Sequence, residues 1–211
     1  YLFLGLNIQY ENSRDVAIIS ANCLSTNLTM SHNGDYIALT TGDKLLVYEN
    51  KRNKIHDFAK EMYNAAAFNW QGDRLCVAVT TPQNGHELRF YKIRVETGVI
   101  PEHRARSYII ELEGFRTKLK YGVDAIEFSS DGKHLITATG DIRGRDRYQG
   151  IRIYEIGKEG PEFKHRPGTE HPSELGSSEI SDYQQIILSQ DSTRLLTLSR
   201  EKLELYNVSL R

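Results

Sequence analysis

IEFSSDGKHLITATG, residues 126–140, sets out a plan of apolar strand, tight polar turn and second apolar strand that the rest of the chain repeats. Ile126 and Phe128 alternate with Glu127, the two-residue period of a strand, so an inner strand is expected from Val123 to Ser129. Ser130, Asp131 and Gly132 supply the turn, because Asp side chains bond neighbouring backbone and Gly takes positive φ without a clash. His134 to Thr139, rich in β-branched residues, is the second strand.

The same plan recurs in LTMSHNGDYIALTT (28–41), AAFNWQGDRLCVAV (66–79) and IILSQDSTRLLTL (186–198). Met30, Phe68, Phe128 and Leu188 align as anchors, and four residues on stand Gly34, Gly72, Gly132 and Ser192. Each unit closes on a third strand, KLLVYE, ELRFYK, GIRIYE or KLELYN, with Tyr48, Tyr91, Tyr154 and Tyr206 in equivalent places. Residues two apart in these strands (Leu45 and Val47, Leu88 and Phe90, Ile151 and Ile153, Leu203 and Leu205) are expected to form the buried face. Arg89, Arg152 and Glu204 are expected to point away from it, and the four anchors to lie buried between neighbouring units.

Four such units fit in 211 residues as one region. The expected divisions are 24–62, 63–122, 123–183 and an incomplete 184–211, with 1–23 as outer strands of a preceding or closing unit, Tyr1 to Ile8 and Asp15 to Ser20. With 27 Lys and Arg against 28 Asp and Glu, no global field favours nucleic acid or an anionic membrane, and no apolar run is long enough for a membrane span. Cys23 and Cys76 have no metal-ligand spacing and no disulfide framework; Cys76 reads as a small buried hydrophobe. This reading places the protein inside the cell, in cytoplasm or nucleus. The start, YLFLGLN, has neither an initiator Met nor a signal-peptide n-region, so the chain is read as part of a longer one, whose remainder is an expected partner.

The spacing of the anchors is uneven. The extra length of the second and third units falls between strands two and three and in the link to the following unit, positions that emerge at one end of an antiparallel unit. The segments concerned are Thr81 to His86, Glu113 to Gly122, Gly140 to Gly150 and Gly160 to Asp182. Insertions confined to one face mark a binding surface in repeat folds. In this face Asp141-Ile-Arg-Gly-Arg-Asp-Arg-Tyr148 is the sharpest local feature. Arg143, Arg145 and Arg147 carry guanidinium forks for carboxylate or phosphate, Tyr148 offers a stacking ring, and Arg116, Lys118 and Lys120 lie in a neighbouring segment. Together they suit a protein, an acidic or phosphorylated peptide, or RNA. Pairing of the three Arg with Asp141 and Asp146 in a solvated hairpin is the competing account.

The SSDG turn, the LTTGD and ITATGD stretches after second strands, and the third strands ending on an aromatic residue resemble WD-repeat β-propellers, over about Leu24 to Val208. The Trp-Asp pair that ends the family's third strand is Tyr-Glu, Tyr-Lys, Tyr-Glu and Tyr-Asn in this chain, and other propellers with a DG turn, of peptidase and lactonase type, share the remaining features. The resemblance implies an all-β fold of four-stranded antiparallel blades, four of them visible as an arc of a larger ring. Hydrolase, zinc, nucleotide and dinucleotide motifs do not occur, and neither a cofactor nor a metal is expected. The implied function is a non-catalytic scaffold for protein–protein contacts in a larger complex. The alternatives are the propeller of a hydrolase or peptidase with its catalytic residues elsewhere, or an RNA-associated propeller.

Overall fold

A computed structural model of the chain describes residues 25–52, 54–58, 61–83, 85–95, 107–111, 116–119, 122–141, 148–156, 163–165, 183–199, 202–208 and 210. The strands expected within residues 1–23 lie outside these. The first sheet is β1 (Ser25–Met30), β2 (Tyr36–Thr41), β3 (Lys44–Glu49) and β4 (Lys54–Asp57), a short 3-10 turn at Asn50–Arg52 leading into its last strand. The second is β5 (Met62–Phe68), β6 (Arg74–Thr81) and β7 (Gly85–Val95), edged by β8 (Ser107–Glu111) and β9 (Thr117–Leu119). The third is β10 (Ala125–Phe128), β11 (His134–Asp141), β12 (Tyr148–Ile156) and β13 (Phe163–His165), and the fourth β14 (Tyr183–Leu188), β15 (Arg194–Ser199) and β16 (Leu203–Asn207). Each is an antiparallel meander in chain order, and successive sheets stack through their first strands, β1 on β5, β5 on β10 and β10 on β14. This is the blade array of a β-propeller.

Register confirms that the four units are one structure. Ala38, Cys76, Ile136 and Leu196 pair with Val47, Phe90, Ile153 and Leu205, and the four tyrosines pair with Ile37, Leu75, Leu135 and Leu195. Cys76 is fully buried, and burial pushes its thiol well above the ordinary range.

The turn between the first two strands repeats down to single atoms. Gly34, Gly72, Gly132 and Ser192 all sit at φ between 57 and 72°, each donating its N–H to the carbonyl of the residue three before it, at 2.8–2.9 Å. The residue that opens the turn (Ser31, Asn69, Ser129 or Ser189) accepts, through its side-chain oxygen, the N–H that starts the second strand at 2.9–3.0 Å. Left-handed φ costs a residue with a Cβ roughly 1–2 kcal/mol, which is why Gly holds three of the four places. Ser192 accepts that cost while its Oγ takes the Ser130 N–H of the preceding blade's turn at 3.4 Å.

Both faces of an interior blade are buried. Leu45 and Val47 of the first blade meet Tyr63, Phe68, Leu75, Val77 and Tyr91 of the second; Leu88 and Phe90 meet Val123, Ile126, Phe128 and Leu135; Ile151 and Ile153 meet Tyr183, Ile186 and Leu195. Each fully buried Leu, Val or Phe contributes about 1.5–3 kcal/mol to such a joint. Aromatic pairs reinforce the joints: Phe58 with Tyr91 at 5.1 Å and Phe90 with Phe128 at 6.2 Å, both edge to face.

This arrangement refines one expectation and corrects two. Arg89 points away from Leu88 and Phe90, yet it is only 6% exposed, because that side faces the first blade. Burial opposes its charge, but Glu87, itself buried, and Glu61 both bond its guanidinium and hold its pKa above the ordinary value. Leu203 and Leu205 are 67% and 62% exposed, because among the described residues no sheet covers the far side of the fourth blade. Met30 is 61% exposed, with Leu28 at 53%, because the near side of the first blade is equally uncovered; Phe68, Phe128 and Leu188 are buried as expected. The described blades thus form an arc with one apolar face open at each end.

Two outcomes are expected. Gly34→Ala, where no atom lies within 4 Å of the added Cβ, should lose about 1–2 kcal/mol to backbone strain alone, read from urea denaturation. The chain should self-associate with concentration in sedimentation velocity, and Leu203→Asp with Leu205→Asp should shift it towards monomer.

Candidate functional site

The array has two ends of different character. At one end the strand two to strand three hairpins emerge. In the first blade this hairpin stops at the Thr41–Lys44 pair, but in the second and third it runs two rungs further, to Thr81–Gly85 and Asp141–Tyr148. Within Thr81 to His86, expected as loop, Thr81, Gly85 and His86 are therefore strand, with Pro82 and Gln83 in a turn. Asn64 Nδ2 donates to Thr80 Oγ1 at 3.0 Å, Thr80 Oγ1 lies 3.0 Å from His86 Nδ1, and the His86 ring abuts Gly122, so the stem is anchored to the link into the next blade.

Of the sequence-predicted residues, Arg116, Lys118 and Tyr148 are among the described ones. Arg143, Arg145, Arg147 and Lys120 lie outside the described residues, the three Arg in sequence between Asp141 and Tyr148, which pair with each other. Lys118, expected in a loop, stands on β9 opposite Glu87, because the outer strand of the second blade is split: β8 pairs Tyr91 to Val95 and β9 pairs His86 to Leu88. Arg116 immediately precedes β9, and both Arg116 and Lys118 are exposed. Most of Gly160 to Asp182 lies outside the described residues.

At the opposite end the four first-strand turns converge on a cavity of about 170 Å³. Its walls are the anchors Met30, Phe68, Phe128 and Leu188, and its rim is the second residue of each turn: His32, Trp70, Ser130 and Gln190. The His32 and Trp70 rings stack at 3.5 Å and 24°. Within the lining stands Glu127, whose carboxyl burial raises from an ordinary 4.5 to about 7. Sequence reading treated the rim residues only as turn formers. The signal that could have found them is their equivalence, since one position of a repeated turn carries His, Trp, Ser and Gln where turn chemistry alone asks for small polar residues. Among the described residues no group of His, Cys, Asp or Glu is arranged to hold a metal ion.

A carboxyl whose folded pKa lies above its unfolded value favours the fold only while protonated. Its contribution is complete below about 4.5 and is lost as pH rises through about 7. Glu127→Gln should therefore raise the urea midpoint at pH 8, and the difference from the parent chain should shrink as pH falls towards 5.

No family model matches the sequence, and none of the curated proteins is similar to it. Among solved structures the chain is similar to the Cps50 (Swd1) β-propeller domain of Myceliophteria thermophila, at 17% identity and a TM-score of 0.52, over 92% of this chain and 56% of that one. The likeness shows the fold, a β-propeller, and this chain spans about half the length of that domain.

Proposed function

We propose that this β-propeller chain has no chemistry of its own and serves as a scaffold, holding partner proteins in a larger assembly through the end that carries the extended hairpins. The observation that supports the reading is the placement of extra length: the second and third blades project their hairpins two rungs beyond the first, at the same end. Strand pairing runs out to Thr81–Gly85 and Asp141–Tyr148, so a contact made by these stems is pre-organised and loses less entropy on binding. Arg143, Arg145 and Arg147 fall in sequence between the paired stem residues Asp141 and Tyr148, with Arg116, Lys118 and Lys120 as further cations from the second unit. Forked guanidinium groups at such a tip suit an acidic or phosphorylated segment of the partner.

Affinity capture from cell extract, read by mass spectrometry, tests the reading. Arg143→Ala, Arg145→Ala and Arg147→Ala together should lose most of the captured protein while shifting Tm by less than about 2 °C. Capture should persist after ribonuclease treatment; loss on ribonuclease, or capture unchanged by the triple substitution, refutes it.

A further inference from the structure

Among the described residues, the cavity at the other end is lined by one carboxyl, one stacked aromatic pair and no lysine or arginine. Glu127 occupies a place that the repeat fills with Thr29, Ala67 and Ile187 in the other blades, each opposite the equivalent second-strand residue. Packing therefore asks for a small or apolar side chain at this point, and the carboxyl is at odds with it. No described residue gives the Glu127 carboxyl a hydrogen bond or a countercharge, and burial alone displaces its pKa. A partly buried carboxyl left without a partner is costly to the fold. The cost is recovered when a cation enters the cavity and pairs with it.

Size narrows the cation. At about 170 Å³ the cavity is well below the roughly 300–1,000 Å³ of a drug-sized or cofactor pocket, and it suits one long side chain. The walls are Phe68, Phe128 and Leu188, which favour an apolar stem, while Trp70 and His32 at the rim offer ring faces. A guanidinium is planar, weakly hydrated and stacks on aromatic rings, and its fork matches a carboxylate; an ammonium holds its hydration more tightly and lacks the fork.

We infer that this cavity receives an arginine side chain from an extended segment of a partner protein, with the guanidinium paired to Glu127 and the stem lying along the walls beside Trp70. This is a second contact, at the end remote from the extended hairpins, and it does not depend on the hairpin tips.

Trp70 is the chain's single tryptophan, so its fluorescence reports on the cavity directly. The probe is a blocked Gly-Arg-Gly peptide, titrated into the 211-residue chain by fluorescence and by calorimetry, beside the same peptide with citrulline, which is isosteric and uncharged, or with lysine. Saturable binding of the arginine peptide is expected, with both substitutes weaker by about tenfold or more. Glu127→Gln, which keeps the shape of the side chain, should lose about tenfold or more in affinity with its circular dichroism unchanged. Equal binding of the citrulline or lysine peptide, parental affinity in Glu127→Gln, or no response of either signal to the arginine peptide at millimolar concentration overturns the inference. The triple arginine variant of the hairpin tip should bind the peptide normally, so this result and that for the hairpin contact can be told apart.

Discussion

Each interior sheet of this protein is apolar on both sides, so a blade becomes stable only when another lies against each face. Leu88 and Phe90 look towards the third blade while Tyr91, Ile93 and the paired Arg89 look towards the first, and all of them are buried. An ordinary half-solvated antiparallel sheet would have one polar face. Stacking is the only way to satisfy two apolar faces, and it explains why the elements succeed one another in chain order, why the joints repeat, and why the two end faces, at Leu28 and Met30 and at Leu203 and Leu205, stand open.

The same constraint decides where the chain is free to vary. The first-strand turns of adjacent blades touch. A Cβ on Gly72 would stand 3.3 Å from Asn33 and 3.4 Å from Ser31, one on Gly132 would stand 3.3 Å from Gln71, and the Ser130 and Ser192 hydroxyls lie 3.3 Å apart. Crowding of that kind leaves no room for inserted residues, and all four turns keep one length. At the other end the described hairpin glycines Gly42 and Gly85 have no atom within 4 Å of an added Cβ. Extra length in the second and third blades accordingly appears there, as two added rungs that carry the tips outward. One end is thus a rigid, narrow mouth and the other an extended surface, a division that suits two different kinds of contact.

The strands and turns were legible because their signals are local. The alternation of Ile126 and Phe128, the Asp-Gly turn and the tyrosine at the end of each third strand depend on residues a few positions apart, and the register pairs them as expected. Cys76 was legible as a buried hydrophobe from its column in the repeat. Lys118 was less so: nothing in its neighbours says that the outer edge of β7 is shared by two short strands, a pairing that spans thirty residues. Arg89 points away from Leu88 and Phe90 as expected, but a single strand cannot reveal that Glu61 and Glu87 bond it on that side.

By itself the sequence determined the number of units, their strands, the turn that needs a left-handed residue, and the end of the array at which added length falls. All of these follow from backbone sterics and side-chain alternation over short distances. Tertiary structure alone decided which side of each strand is covered, since burial depends on what the next blade presents. It also gathered His32, Trp70, Glu127, Ser130 and Gln190, up to 158 residues apart in the chain, around one cavity. Each is unremarked in its own turn or strand. Only stacking the first strands of four blades around a common centre gives them a shared chemistry, an aromatic rim over a carboxyl that has no partner of its own.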